Sequence, residues 1–259
     1  MIYTVSWHDP SVIATLCVAF VAFLAILYVP FTKWRKRPIL KVEISPSNNA
    51  DFFHTGFGYK YGQAEIKKEV SAYYIRFRVI NIGRSAATSV MSFLEKVELF
   101  DSGDNVDTYI PLPLLWANSD LMPFEYRMFF PRINPLVDTW CDLGFIADPE
   151  YWKDVKLEIA PEGSLFCLDT VVKPLSKGVC LLKPGVYRMT VKIAAENAKP
   201  SLAVFKVRVP TEWSAYRDIM FGPNGLSAEV IDWNWEHKAG LYRWWHSKRK
   251  QHFFSNKDL

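Results

Sequence analysis

The residues able to do chemistry are few and scattered. Five histidines (His8, His54, His237, His246 and His252) show no ligand spacing, and only His246 and His252 share one basic segment. Zinc sites draw Cys and His donors from short, repeated spacings. The four cysteines, Cys17, Cys141, Cys167 and Cys180, contain no CxxC pair. Cys167 and Cys180 stand on or beside strand patterns with no cationic neighbour to make a thiolate, so they read as buried structural thiols. No HExxH, GxSxG, Walker or EF-hand pattern is present, and no acidic pair stands out as a general acid and base. The sequence therefore predicts no catalytic, cofactor-binding or metal-ligating residue, no cofactor, and a protein that is not an enzyme.

Charge carries more information. The net charge of +4 is uneven along the 259 residues. Residues 1–37 carry +3 (four bases against Asp9), and residues 238–259 carry +5 (six bases against Asp258). The stretch between is mildly acidic. An evenly basic nucleic-acid binder is disfavoured, and no nucleic-acid partner is expected.

The first basic cluster, Lys33-Trp34-Arg35-Lys36-Arg37, follows eighteen uncharged residues from Val12 to Val29. At about 1.5 Å per helical residue that run approaches the roughly 30 Å of bilayer hydrocarbon, and the sequence predicts a transmembrane helix over about 12–31. A buried core helix would show a polar stripe, and this run has none. A cleaved signal peptide would want a basic start and an A-x-A-like site. Residues 1–11 hold no Lys or Arg, and no two alanines of the run stand two apart. Bases flanking a span stay on the cytoplasmic side, so Lys33, Arg35, Lys36 and Arg37 set the expected topology. That topology is a single-pass protein of the cell membrane, N-terminus outside and main domain cytoplasmic. Three cysteines in the body of the chain, an odd number, agree with a reducing compartment and also fit one disulfide plus a spare thiol outside.

From Pro38 onward the dominant period is two. Apolar and charged residues alternate over 40–44, 73–79, 155–159, 187–193 and 205–209, with weaker strand patterns over 90–100, 108–114, 124–130 and 165–172. One apolar and one polar face per strand is the pattern of antiparallel sheets packed on one side. The expected fold class is mainly β: an antiparallel β-sandwich over 38–210 behind the membrane segment 1–37, then a Trp-rich basic tail over 211–259. Two stretches interrupt it. Residues 48–68 read as an aromatic, Gly-containing insert, either a lid over the domain's own core or a binding loop. Residues 101–153 read as a proline-rich excursion with a helical turn starting at Asp148-Pro149-Glu150.

Val79-Ile-Asn81-Ile-Gly83-Arg-Ser-Ala86-Ala-Thr-Ser-Val90 resembles the V-x-N-x-G…A…V signature of bacterial and archaeal immunoglobulin-like modules of the CARDB type. Pro184-Gly-Val-Tyr187-Arg-Met-Thr-Val191 is similar to the P-G-x-Y-x-x-x-V entry to a late strand in such modules. The match covers the twenty residues of these two stretches. It implies an irregular immunoglobulin-like fold and says little of function. Such modules are often extracellular. Asn81, Gly83 and Gly185 read as turn residues, because Asn and Gly tolerate positive φ.

In the tail, Ser227 caps an expected short helix in which Leu226, Val230, Trp233, His237, Leu241 and Trp244 recur at spacings of three and four. Arg243, Trp244, Trp245, Lys248, Arg249 and Lys250 are candidate membrane-surface contacts, since rings beside Lys and Arg suit anionic headgroups. Packing of the tryptophans on the domain is the competing reading. The expected function is a non-enzymatic, membrane-anchored interaction module whose cytoplasmic sandwich binds another macromolecule, a protein partner, through its aromatic inserts. The alternatives are an envelope-facing binding protein and a membrane-tethered enzyme with its site in the 101–153 excursion.

Overall fold

The computed structural model describes residues 10–60, 67–106, 111–117, 128–154, 164–170 and 180–235. Its first element, α1 (Pro10–Lys36), takes up the apolar run and most of the basic cluster in one 27-residue helix. None of Pro10–Tyr28 is buried against the rest of the described chain, so it is not the core helix of a globular domain. It is long and apolar enough to cross a membrane, as an anchor or as a signal sequence.

Two antiparallel sheets follow. The first contains β1 (Leu40–Glu43), β2 (Phe52–Lys60), β3 (Lys67–Asn81), β7 (Asp138–Ala147), β8 (Phe166–Leu168) and β9 (Leu181–Leu182). Its order is β1-β3-β7-β8-β9, with β2 beyond β1 on the same edge of β3. The second contains β4 (Ala87–Leu99), β5 (Leu112–Pro113), β6 (Phe130–Ile133), β10 (Gly185–Ala195), β11 (Ala198–Val209) and β12 (Ser227–Trp235). Its order is β12-β11-β10-β4-β5, and β6 also pairs with β4. Two short helices complete the described chain, α2 (Pro149–Asp154) and α3 (Arg217–Met220).

The period-two pattern explains the core. Tyr73, Ile75, Phe77 and Val79 point inward from β3, as do Met189, Val191 and Ile193 from β10 and Ala203, Phe205 and Val207 from β11. Phe77 and Phe205 meet between the sheets with ring centroids 5.3 Å apart. Each of the larger of these buried side chains contributes about 1.5–3 kcal/mol, so the shared interior is the main stabilising term. The outer face of the first sheet is covered by α2, where Trp152 packs with Val70, Ala72, Ala147 and Leu165. This is the helical turn expected after Asp148.

Three expectations are corrected. The 48–68 insert contains β2, an edge strand paired with β3 from Phe52 opposite Ile75 to Lys60 opposite Lys67. The 101–153 excursion contains β7, an interior strand bonded to β3 and β8. The expected helix beginning at Ser227 is β12, so the second sheet runs past residue 210. The cause is a bulge: Phe205 pairs with Val230 and Val204 with Asp232, which skips Ile231. Inward positions thus run Leu226, Ala228 and Val230, then jump to Trp233, and the jump imitates helical spacing. The strand pattern over 155–159 and parts of those over 108–114, 124–130 and 165–172 lie outside the described residues.

Candidate functional site

The topology gives the β-domain two ends. One is where α1 enters. Lys33, Arg35 and Lys36 lie in the last turn of α1, the latter two exposed, and Arg37 follows half-buried. Burial lowers the Arg37 pKa from its ordinary value, and an arginine remains charged all the same. The three residues after the helix are bonded to the turn after β3. The Ile39 amide donates to Asn81 Oδ1 at 3.2 Å, the Ile82 amide to the Ile39 carbonyl at 2.8 Å, and the Arg84 amide to the Arg37 carbonyl at 3.4 Å. The buried Asn81 side chain also accepts the Gly83 amide at 3.0 Å and donates to the Ser85 and Ile133 carbonyls at 2.7 and 2.9 Å. A Cβ at Gly83 would stand 2.5 Å from the Ile39 nitrogen and 2.6 Å from the Arg37 carbonyl oxygen. Glycine is needed here for close approach of two backbones. Asn81 and Gly83 are thus joint residues, consistent with their reading as structural.

A polar network lies on the outer face of the first sheet, near the edge formed by β1 and β2. Asp51, 0% exposed, accepts the Ser45 amide at 2.8 Å and the Trp140 indole N–H at 3.0 Å. Arg78 approaches Asp51, Glu43 and Asp138 at 3.4, 3.6 and 3.7 Å. Arg76 bonds Asp142 at 2.5 Å and covers the Phe53 ring at 4.5 Å. Each charge is matched by a partner, which is what holding the 44–51 loop requires.

The opposite end carries a cleft of about 430 Å³. It is lined on one side by Pro210, Thr211, Glu212 and Ser214, and on the other by α3 and Gly222–Gly225. The segment is fixed to the first sheet: Tyr73 Oη donates to the Ala215 carbonyl at 2.8 Å, and Arg217 donates to Asn49 Oδ1 at 2.7 Å. Phe221 packs edge-on against Phe52 and Tyr73, each at 5.3 Å. Burial raises the Tyr73 pKa, so the hydroxyl stays a donor. Gly225 lets the chain turn back beside Met220, where any Cβ would collide with the Met220 carbonyl oxygen. Beside the cleft stand Tyr216, 73% exposed, and Ile219, 64% exposed, with Asp218 between them. Sequence reasoning missed this site because its residues fall between patterned segments.

The remaining candidates resolve simply. None of Cys17, Cys141, Cys167 and Cys180 forms a disulfide. Burial pushes the Cys141 thiol well above its ordinary range. His54 contacts Ser71 Oγ at 2.7 Å and stacks on Tyr73 at 4.4 Å. Among the described residues, no group of three His, Cys, Asp or Glu is placed to hold a metal. Phe52 of the aromatic insert belongs to the core, and Trp213 and Trp233 pack against it, Trp233 donating to Ser201 Oγ at 2.8 Å. Arg243, Trp244, Trp245, Lys248, Arg249 and Lys250 lie outside the described residues. Compared with known families, curated proteins and solved structures, the chain matches none.

Proposed function

We propose that this chain is a single-pass, membrane-anchored, non-enzymatic interaction module. Its β-domain, an irregular sandwich of immunoglobulin-like character, lies on the cytoplasmic side and presents its far end to a protein partner. The observation that carries this reading is the joint. With Arg37–Ile39 bonded to the Asn81 turn, the domain follows α1 without a flexible tether. A cleaved signal sequence would want a basic start and an A-x-A-like site, and residues 1–29 offer neither. The four bases at the joint favour retention on the cytoplasmic side.

The joint also decides which surface faces a partner. The cleft beside Tyr216 and Ile219 is at the end remote from α1, where a second protein has access. Its lining offers Thr211, Glu212, Ser214 and Asp218 but no histidine, lysine or cysteine to pair with a hydroxyl nucleophile. Tyr and exposed aliphatic side chains around a concavity are common anchors of protein contacts.

The basic tail belongs to the same account. β12 runs toward the joint, ending with Trp235 opposite Ser201. The neighbouring β10–β11 hairpin is bonded to β4 at that end, Glu196 donating its amide to the Thr88 carbonyl at 3.0 Å. The last described residue, Trp235, therefore stands at the membrane end, and in this reading Arg243, Trp244, Trp245, Lys248, Arg249 and Lys250 meet anionic headgroups.

The test is a topology reporter fused after Leu259, combined with photo-crosslinking in intact membranes from positions 216 and 219. The reading expects cytoplasmic reporter activity and one discrete protein adduct, abolished by Glu212→Lys with Asp218→Lys. A reporter active only outside the cell overturns the orientation. Absence of adducts from both positions overturns the choice of the cleft.

A further inference from the structure

The turn between β6 and β7, residues 134–137, is built at the same end as α1. The Leu136 amide donates to the Asn81 carbonyl at 2.7 Å, and the Asn81 amide donates to the Val137 carbonyl at 3.3 Å. Asn81 therefore bonds both the chain leaving α1 and this turn. The tip is unusual in two ways. Leu136 is 84% exposed, more than any other large apolar side chain described in the β-domain, and Val137 beside it is 48% exposed. Leu136 also has φ of 63°, a left-handed conformation that Gly or Asn adopts far more readily. The fold thus holds a leucine in a strained turn to project an apolar side chain away from its core. Two exposed arginines flank the tip. Arg132 bonds Asn134 Oδ1 at 2.9 Å, and Arg84 follows Gly83 in the joint.

We propose that this turn is a second, interfacial contact with the bilayer that holds α1. Leu136 and Val137 enter the headgroup layer, and Arg84 and Arg132 meet anionic phosphates. The inference rests on the reading of α1 as a retained anchor. Apolar side chains ringed by arginine are what a peripheral contact offers to lipid. A membrane fits here better than a protein partner because the tip and the exit of α1 share one residue as their support. A span fixes the position of the domain, and a second contact beside it fixes its tilt, so the remote cleft is presented in one orientation.

The test uses the full chain in vesicles containing anionic lipid, with a photo-crosslinking residue placed at 24, 136 or 216 in separate preparations. Lipid adducts are read from the intact mass. The proposal expects adducts at 24 and 136, none at 216, and loss of the adduct at 136 when Arg84 and Arg132 are both replaced by Glu. Adducts at 24 but none at 136 overturn the proposal and leave the anchor standing. No adduct at 24 overturns the anchor reading and the proposal with it. Equal yields at 136 and 216 overturn the proposal as well, since the contact would then be unspecific.

Discussion

Asn81 Oδ1 and the Ile39 amide stand 3.2 Å apart, joining the end of β3 to the third residue beyond α1. That bond sits among three others made by the same side chain, which is itself fully buried. It makes the joint a part of the fold and not a linker. Replacing Asn81 by Ala leaves two amides and two carbonyls short of a partner. The expected cost is about 3 kcal/mol, read from the urea midpoint of the β-domain. A change under about 0.5 kcal/mol would mean that the joint contributes nothing to the fold.

Gly83 supplies a steric test of the same joint. Gly83→Ala places a methyl group against the backbone of Arg37 and Ile39, neither of which has a flexible end to move aside. A loss of about 2 kcal/mol is expected. Gly103→Ala makes a useful contrast. Nothing lies within 4 Å of that Cβ, and its φ of 73° makes backbone strain the only penalty. If Gly83→Ala costs no more than Gly103→Ala, the close approach is not a constraint.

The cysteine buried in β7 makes the domain sensitive to alkali. The Cys141 thiol is 0% exposed, and its pKa is held well above the ordinary value of 9.0. In the unfolded chain it ionises near that ordinary value. Its contribution is therefore complete below about pH 9 and lost as pH rises toward the folded pKa, at up to about 1.4 kcal/mol per pH unit. Stability measured between pH 7 and 9.5 should fall less steeply in Cys141→Ala than in the parent chain. Parallel curves would assign the alkaline loss to other groups.

The boundaries of the domain follow from β12. A chain ending at residue 235 should keep the cooperative unfolding transition of the longer one. A chain ending at residue 210 loses β12 and with it Met220, Leu226 and Ala228 from the core, and should not fold. A folded 38–210 fragment would show that β12 is an accessory strand.

These cases also show what the sequence reveals about the fold. Strands without a bulge, such as β1 and the middle of β3, are read directly from alternation. Two of the elements missed or misassigned, β7 and β12, share a physical cause. In β7, Ile75 pairs with Gly144 and Arg76 with Asp142, so Leu143 is skipped and the inward phase shifts. The same slip at Ile231 turns a strand into an apparent helix. β2 shows a second cause: Gly56 and Gly58 have little strand preference of their own, and pairing with β3 imposes the conformation. The basic residues at the end of α1 were legible as charge. The cleft was not, because it is made by Tyr73 and Arg217 drawing together segments some 140 and 170 residues apart.

The tail allows a measurement of charge alone. Each Lys or Arg near an anionic surface contributes about 1 kcal/mol, so Arg243, Lys248, Arg249 and Lys250 together supply about 4 kcal/mol before ordering costs. Residues 38–259 should sediment with anionic vesicles in a salt-sensitive way, and residues 38–237 should bind markedly less. Equal binding by the two would remove the tail from the membrane contact and leave Arg84 and Arg132 to account for it.

The central claim is that α1 remains in the protein and in the bilayer. Alkaline extraction of membranes from cells producing the 259-residue chain, with the product identified by intact mass, tests it most directly. The account predicts a carbonate-resistant membrane pellet containing the uncleaved chain of 29.9 kDa. Recovery in the soluble fraction, or of a shorter product lacking α1, would contradict it.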